Sequence, residues 1–192
     1  MGFTREELEA FQDATVPDLI GPDPKLLFVG INPGLWTAAT KTHFAHPGNR
    51  FYPALFAAGV IDREIDRSNG FTDADRAHLI ERGIGITNIV KRATARASEL
   101  TARELRAGGA ALEAKVAELR PAVVAIAGIT AYRTAFGRRE AVVGRQPAGI
   151  SGSELWVVPN PSGLNAHETT ETLSQWYRRV AIAAGIVEAK PA

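Results

Sequence analysis

Two polar stretches hold most of the side chains in this sequence that could bind or break something. One runs from Gly30, Ile31, Asn32, Pro33 and Gly34 to the segment "THFAHPGNRFY"; the other is "PNPSGLNAH", Pro159 to His167. Asn32 offers a carbonyl acceptor and an amide donor, enough to fix a water or pair with a planar heterocycle, but it is no general base near neutral pH. Gly30 and Gly34 permit tight turns or close approach of backbone to a ligand, and Pro33 stiffens the turn. "NPG" is equally an ordinary turn sequence. Phe44, an aromatic among polar residues, suits stacking on a flat base and suits core filling as well. Leu164 is the single apolar residue in a run holding Asn160, Pro161, Ser162 and Gly163. It fits a wedge inserted between stacked base pairs, or a staple against the following helix.

Other chemistries are poorly served. The absence of cysteine excludes disulfides, a thiol nucleophile, iron–sulfur clusters and cysteine-ligated zinc. His43 and His46 stand three apart, but Pro47 disfavours a helix there and no third ligand lies at a convincing spacing, so no metal is expected. No GxGxxG, GxxxxGK[ST] or GxSxG pattern occurs, and no carboxylate pair suggests acid and base for ordinary glycoside hydrolysis.

These loops need elements to hold them. A capped helix is expected over residues 4–14, with Thr4 as N-cap and Glu7 at the reciprocal position, followed by a rigid, proline-rich approach to about residue 24. Continuous apolar runs at Leu26–Ile31, Gly85–Val90 and Pro121–Ile129, with Glu154–Pro161, read as four short strands. Helical stretches fall between them: residues 50–60 with Phe51, Leu55 and Phe56 on the apolar side, 73–83, 98–119 broken at Gly108 and Gly109, 130–136, and 167–185. Trp156 and Trp176 read as core residues. Strands alternating with helices pair in parallel through crossovers, which predicts an α/β three-layer α/β/α sandwich with a mainly parallel sheet of about four strands. Ligands bind beyond the carboxyl ends of such strands, where both loops and the segment "NIVKRAT" would emerge. Residues 1–192 read as one domain.

The 192 residues carry a net charge of +1, distributed unevenly. From Arg82 to Arg145 there are twelve Lys and Arg against five Glu, whereas residues 1–24 carry six acids and one Arg. That asymmetry could steer a polyanion onto one face, or reflect only solvated basic helices. No segment reaches the length of a membrane span, and a cytoplasmic location is the expectation.

"GINPG", "FAHPGNRFY", "GITNIVKR" and "VVPNPSGLNAH", in that order, resemble the mismatch-specific uracil-DNA glycosylases, relatives of thymine-DNA glycosylase within the uracil-DNA glycosylase superfamily. The resemblance implies the uracil-glycosylase sandwich, no cofactor, and hydrolysis of the base–sugar bond of uracil and related damaged pyrimidines, especially opposite guanine in double-stranded DNA. It implies that Asn32 positions the attacking water. Gly30, Ile31, Gly34, Phe44 and Asn88 would form the base pocket, with Phe44 stacked on the flipped base. Asn160, Pro161, Ser162, Gly163 and Leu164 would enter the minor groove, with Leu164 filling the vacated space. Arg50, Lys91, Arg92 and Arg96 are the expected phosphate contacts. Lys91 stands where these relatives carry an acid, and "NAH" follows Leu164 where they often place an arginine. A catalytically inactive lesion-binding module and a free-nucleoside hydrolase are the rival readings.

Overall fold

The computed structural model describes residues 2–189; the outermost ends of the expected 1–192 domain lie outside the described residues. Five strands form one sheet in the order β2-β1-β3-β5-β4: β1 (Leu26–Gly30), β2 (Ile84–Asn88), β3 (Val123–Ala127), β4 (Gly144–Arg145) and β5 (Glu154–Val158). The first four neighbours in that order pair in parallel, and β4 is antiparallel to β5. β4 went unread in the sequence because two residues carry no periodicity.

The alternation of side chains along each strand builds the two halves of the core. Leu26 and Phe28 of β1 face a cluster with Phe51 and Leu55 of helix α3 (Phe51–Ala57), Leu79 of α4 (Asp73–Glu81) and Tyr177 of α7 (Thr170–Ala183). Leu27 and Val29 face the other way, onto Leu112 and Val116 of α5 (Ala102–Leu119) and Tyr132 of α6 (Ile129–Phe136). The three-layer sandwich follows. Phe56, expected on the buried side of α3, is instead 41% exposed, and Trp156 and Trp176 are only partly buried at the margin of the core.

Helix α1 (Arg5–Glu9) has the expected capping box between Thr4 and Glu7 but is shorter than the 4–14 reading. The approach that follows is paired rather than free. Leu19 exchanges both backbone hydrogen bonds with Ile86, and Asp13 and Ala14 bond to Ala93, so the segment covers the outer edge of β2. One helix was missed: α2 (Leu35–Thr40) rises inside what reads as a continuous polar loop. Its N-cap is Gly34, which offers no capping side chain to signal a start.

Gly108 and Gly109 do not split α5, which is continuous through both. A Cβ on Gly108 would lie 2.3 Å from the Ile89 carbonyl oxygen, and one on Gly109 2.8 Å from that of Ala135. The pair therefore serves close packing of the helix on its neighbours. Gly108→Ala should destabilise the protein by roughly 1–3 kcal/mol despite alanine's better helix propensity, because the contact is with backbone that cannot rotate away. Urea denaturation checks this; a more stable variant would contradict the packing account.

Candidate active site

β1, β2 and β5 release the chain at one edge of the sheet, and their loops enclose a cleft of about 490 Å³. The register sets Gly30, the last residue of β1, opposite Asn88, the last of β2. Both line the cleft, with Ile31, Asn32, Gly34 and Phe44 from the first loop and Asn160, Ser162, Gly163 and Leu164 from the last. The candidate pocket and wedge residues therefore share one space; Pro161 belongs to the same loop through its carbonyl, which accepts from the Arg50 amide at 3.0 Å.

Asn32 is held by one end of its amide. Nδ2 donates to the carbonyls of Pro33 (3.2 Å) and Arg92 (3.0 Å) and to Oγ1 of Thr94 (2.8 Å). Carbonyls only accept, so this assigns Nδ2 to the protein side and leaves Oδ1 as the acceptor at the cleft. Thr94, also on the cleft wall, is a supporting residue that sequence reasoning missed.

The second amide is fixed in the same sense. Asn88, 6% exposed, meets Nδ1 of His43 at 3.3 Å, and Nε2 of that ring meets the Pro17 carbonyl at 2.9 Å. The carbonyl requires a proton on Nε2, which leaves the neutral ring's Nδ1 as acceptor for Asn88 Nδ2. Asn88 Oδ1 then lies on the Gly30 side, 2.5 Å from where a Cβ on Gly30 would stand. Burial pushes the His43 pKa below its ordinary value and favours this neutral form, with only partial opposition from the Pro17 bond. His43 and His46 do not converge with a third ligand: among the described residues no group of three or more His, Asp or Glu could hold a metal ion.

Phe44 adopts φ 56°, the left-handed region that disfavours an aromatic residue at about 1–3 kcal/mol. The Tyr52 hydroxyl donates to the adjoining His43 carbonyl at 2.7 Å, and the Phe44 ring stacks on Phe51 with centroids 4.1 Å apart and planes 25° apart. Phe44 is thus a flat platform backed by the core and bordering the cleft. Leu164 is 92% exposed at the rim, which removes the staple reading. Its loop is stitched to the first: Arg50 Nη1 donates to the carbonyls of Ser162 and Asn165, both at 3.1 Å, and a Cβ on Gly163 would stand 2.6 Å from the Gly48 carbonyl oxygen.

The basic residues are placed less freely than their exposure in sequence suggests. Arg50 is occupied with the carbonyls of the Ser162–Asn165 loop. Lys91 pairs with Asp18 and donates to Thr87 Oγ1, and Arg92 is clamped between Glu104 and Asp13. Arg96 is exposed between Ala95 and Ala97, which line the cleft. The acidic N-terminal stretch therefore folds back onto the basic region and neutralises part of it. Burial alone would raise the Asp18 carboxyl, but hydrogen bonds from Lys115, Lys91 and Thr87 outweigh it and hold its pKa below the ordinary value.

An α/β/α sandwich with its cleft at the carboxyl edge of the parallel strands is the arrangement in which such sheets bind ligands. Residues 17–184 match the family model of the uracil DNA glycosylase superfamily, and the chain belongs to that family. Its fold is similar to the solution NMR structure of a candidate uracil DNA glycosylase from Methanosarcina acetivorans, with TM-score 0.62 and 18% identity over 90% of this chain and 96% of the other. Among the described residues no helix is long and apolar enough to cross a membrane.

Asp18 links pH to stability. Its folded pKa lies below the unfolded value near 3.8, so its contribution is present above that value and is lost as pH falls through the folded one. The melting temperature should fall below about pH 4. Asp18→Asn should melt lower at neutral pH, by about 2–4 °C for each kcal/mol lost, and show a shallower acid decline. Parallel curves for the two proteins would show that Asp18 carries no such linkage.

Proposed function

We propose that the protein is a monofunctional, mismatch-specific uracil-DNA glycosylase that hydrolyses the N-glycosidic bond of uracil and related damaged pyrimidines, preferably opposite guanine in duplex DNA. The observation that carries this reading is the pair of asparagines whose Nδ2 ends are tied to the protein and whose Oδ1 ends are left for the cleft. Beside them lie one flat aromatic platform and one exposed leucine.

A target base inside a duplex is inaccessible at C1′, so it must leave the stack. Unpairing costs a few kcal/mol and least at a mismatch, which makes mismatch preference partly a property of the DNA. Leu164 fills the vacated space while Asn160, Pro161, Ser162 and Gly163 approach the backbone or the orphan base. The extruded pyrimidine stacks on Phe44, and Asn88 Oδ1 accepts from its ring N–H. As the bond from C1′ to the base breaks, the electron pair leaves with the pyrimidine and the sugar becomes cationic. A water held by Asn32 Oδ1 adds to C1′. Since an amide cannot take the proton efficiently, bond breaking runs ahead of attack, and the water's proton passes to the departing base or to solvent. Backbone donors of the Gly30–Gly34 loop stabilise the developing charge on the leaving oxygen. The ion pair of Lys91 with Asp18 supports water, rather than a lysine amine, as nucleophile.

Phosphate anchoring falls mainly to Arg96, with Lys91 and Arg92 contributing field from within their ion pairs and Arg50 acting through the wedge loop. Activity is therefore expected to fall with salt less steeply than four free cations would give.

Single-turnover excision from uracil-containing duplex, read as alkali-labile strand breaks, tests the reaction. Asn32→Ala should lose about 10²-fold or more in rate with duplex affinity nearly retained; equal losses in both would reject the water-positioning role. Tight binding of lesion duplex without abasic product would favour a binding module, and equal activity on a mononucleoside would favour a nucleoside hydrolase. Leu164→Ala should slow excision about tenfold in duplex and little in single strands, since a wedge of this kind offsets only part of the flipping cost; an unchanged rate in duplex would remove the wedge.

A further inference from the structure

We propose that His43 is a positioning residue that sets which end of the Asn88 amide the base meets, so that base selection is tied to the tautomer and charge of a buried imidazole. The inference rests on the proposed reaction for its activity readout and on the geometry for its substance. His43 is 2% exposed and spans two fixed groups, the Pro17 carbonyl at Nε2 and the Asn88 amide at Nδ1. Pro17 cannot donate, so the neutral ring has one arrangement: proton on Nε2, lone pair on Nδ1, Asn88 Nδ2 turned to the ring. The amide is planar, so its Oδ1 is thereby turned to Gly30 and the cleft.

Neutral His43 therefore specifies an acceptor at that wall, which pairs with a pyrimidine bearing a ring N–H, as uracil and thymine do at N3. A base with a bare N3 acceptor, such as cytosine, would set two lone pairs against each other, and a buried unmet pair of this kind is discriminating. Protonation of His43 reverses the requirement. Nδ1 then carries a hydrogen, Asn88 must rotate to offer Oδ1 to the ring, and Nδ2–H faces the cleft in place of the acceptor. The charges that face the ring come from three elements: Asp18 on the N-terminal approach favours the cation, whereas Lys91 after β2 and Arg76 on α4 oppose it. Burial adds to the opposition, so the switch lies below the ordinary histidine range.

Single-turnover excision of uracil from duplex DNA between about pH 4.5 and 8, with folding checked by circular dichroism at each pH, is the test for wild type and His43→Gln. Glutamine places an amide donor toward Pro17 and an acceptor toward Asn88 but does not titrate. Wild type should lose about 10- to 100-fold toward the acid end with a one-proton slope. His43→Gln, though slower at pH 8, should lack that acid limb. Superimposable pH profiles, or no acid limb in wild type, would overturn the inference. Because the variant could fold poorly, the ring of the wild type is read separately by nitrogen NMR: a proton on Nε2 at neutral pH is expected, and one on Nδ1 would overturn the arrangement outright. Wild type inactive on every uracil substrate would defeat the proposed reaction instead, and the nitrogen spectrum would then decide the His43–Asn88 geometry alone.

Discussion

The site depends on the missing side chain at Gly30. Any Cβ there would fall within 2.5 Å of Asn88 Oδ1 and 3.3 Å of the Phe44 ring. Without it, the end of β1 can lie directly against the end of β2, and the second amide and the aromatic platform can crowd the same point. A methyl group would have to displace an amide whose other end is bound to a buried histidine and a ring stacked on the core. Neither can yield cheaply, because each is held from behind.

A common device then orients the polar groups. Asn32 and Asn88 are each pinned through Nδ2, one by backbone carbonyls and a threonine hydroxyl, the other by an imidazole whose tautomer a further carbonyl fixes. An amide free to rotate would present donor and acceptor alike to the cleft. Tied at one end, it presents a single polarity without needing to reorganise when a ligand arrives, which is how fixed dipoles become useful in a water-poor pocket. The same economy governs charge: Asp13, Asp18 and Glu104 absorb the nearest basic side chains, so the rim is less cationic than the sequence count implies.

Much of the frame was legible in the sequence. Four apolar runs became four parallel strands, Thr4 and Glu7 became a capping box, and both unusual loops met at one edge. Errors came where local rules lost to contacts between distant segments. Gly108 and Gly109 look like a helix break, yet their lack of side chains lets an unbroken helix touch the Ile89 and Ala135 carbonyls. α2 was hidden because its cap is a glycine, and β4 because it is two residues long. The basic stretch from Lys91 to Arg96 looked like a free cationic patch, since ion pairs with residues 13 and 18 have no signature in spacing.

By itself the sequence determined the layers, the strand ends and the types of group gathered beyond them, because hydrophobic period and turn chemistry are local properties read a few residues at a time. Only the tertiary structure decided which way each amide faces, that His43 stands behind Asn88, that Leu164 projects instead of packing, and which cations are already paired. Those outcomes turn on hydrogen-bond geometry between residues far apart in the chain, where a rotation about one bond exchanges donor for acceptor and leaves the sequence pattern unaltered.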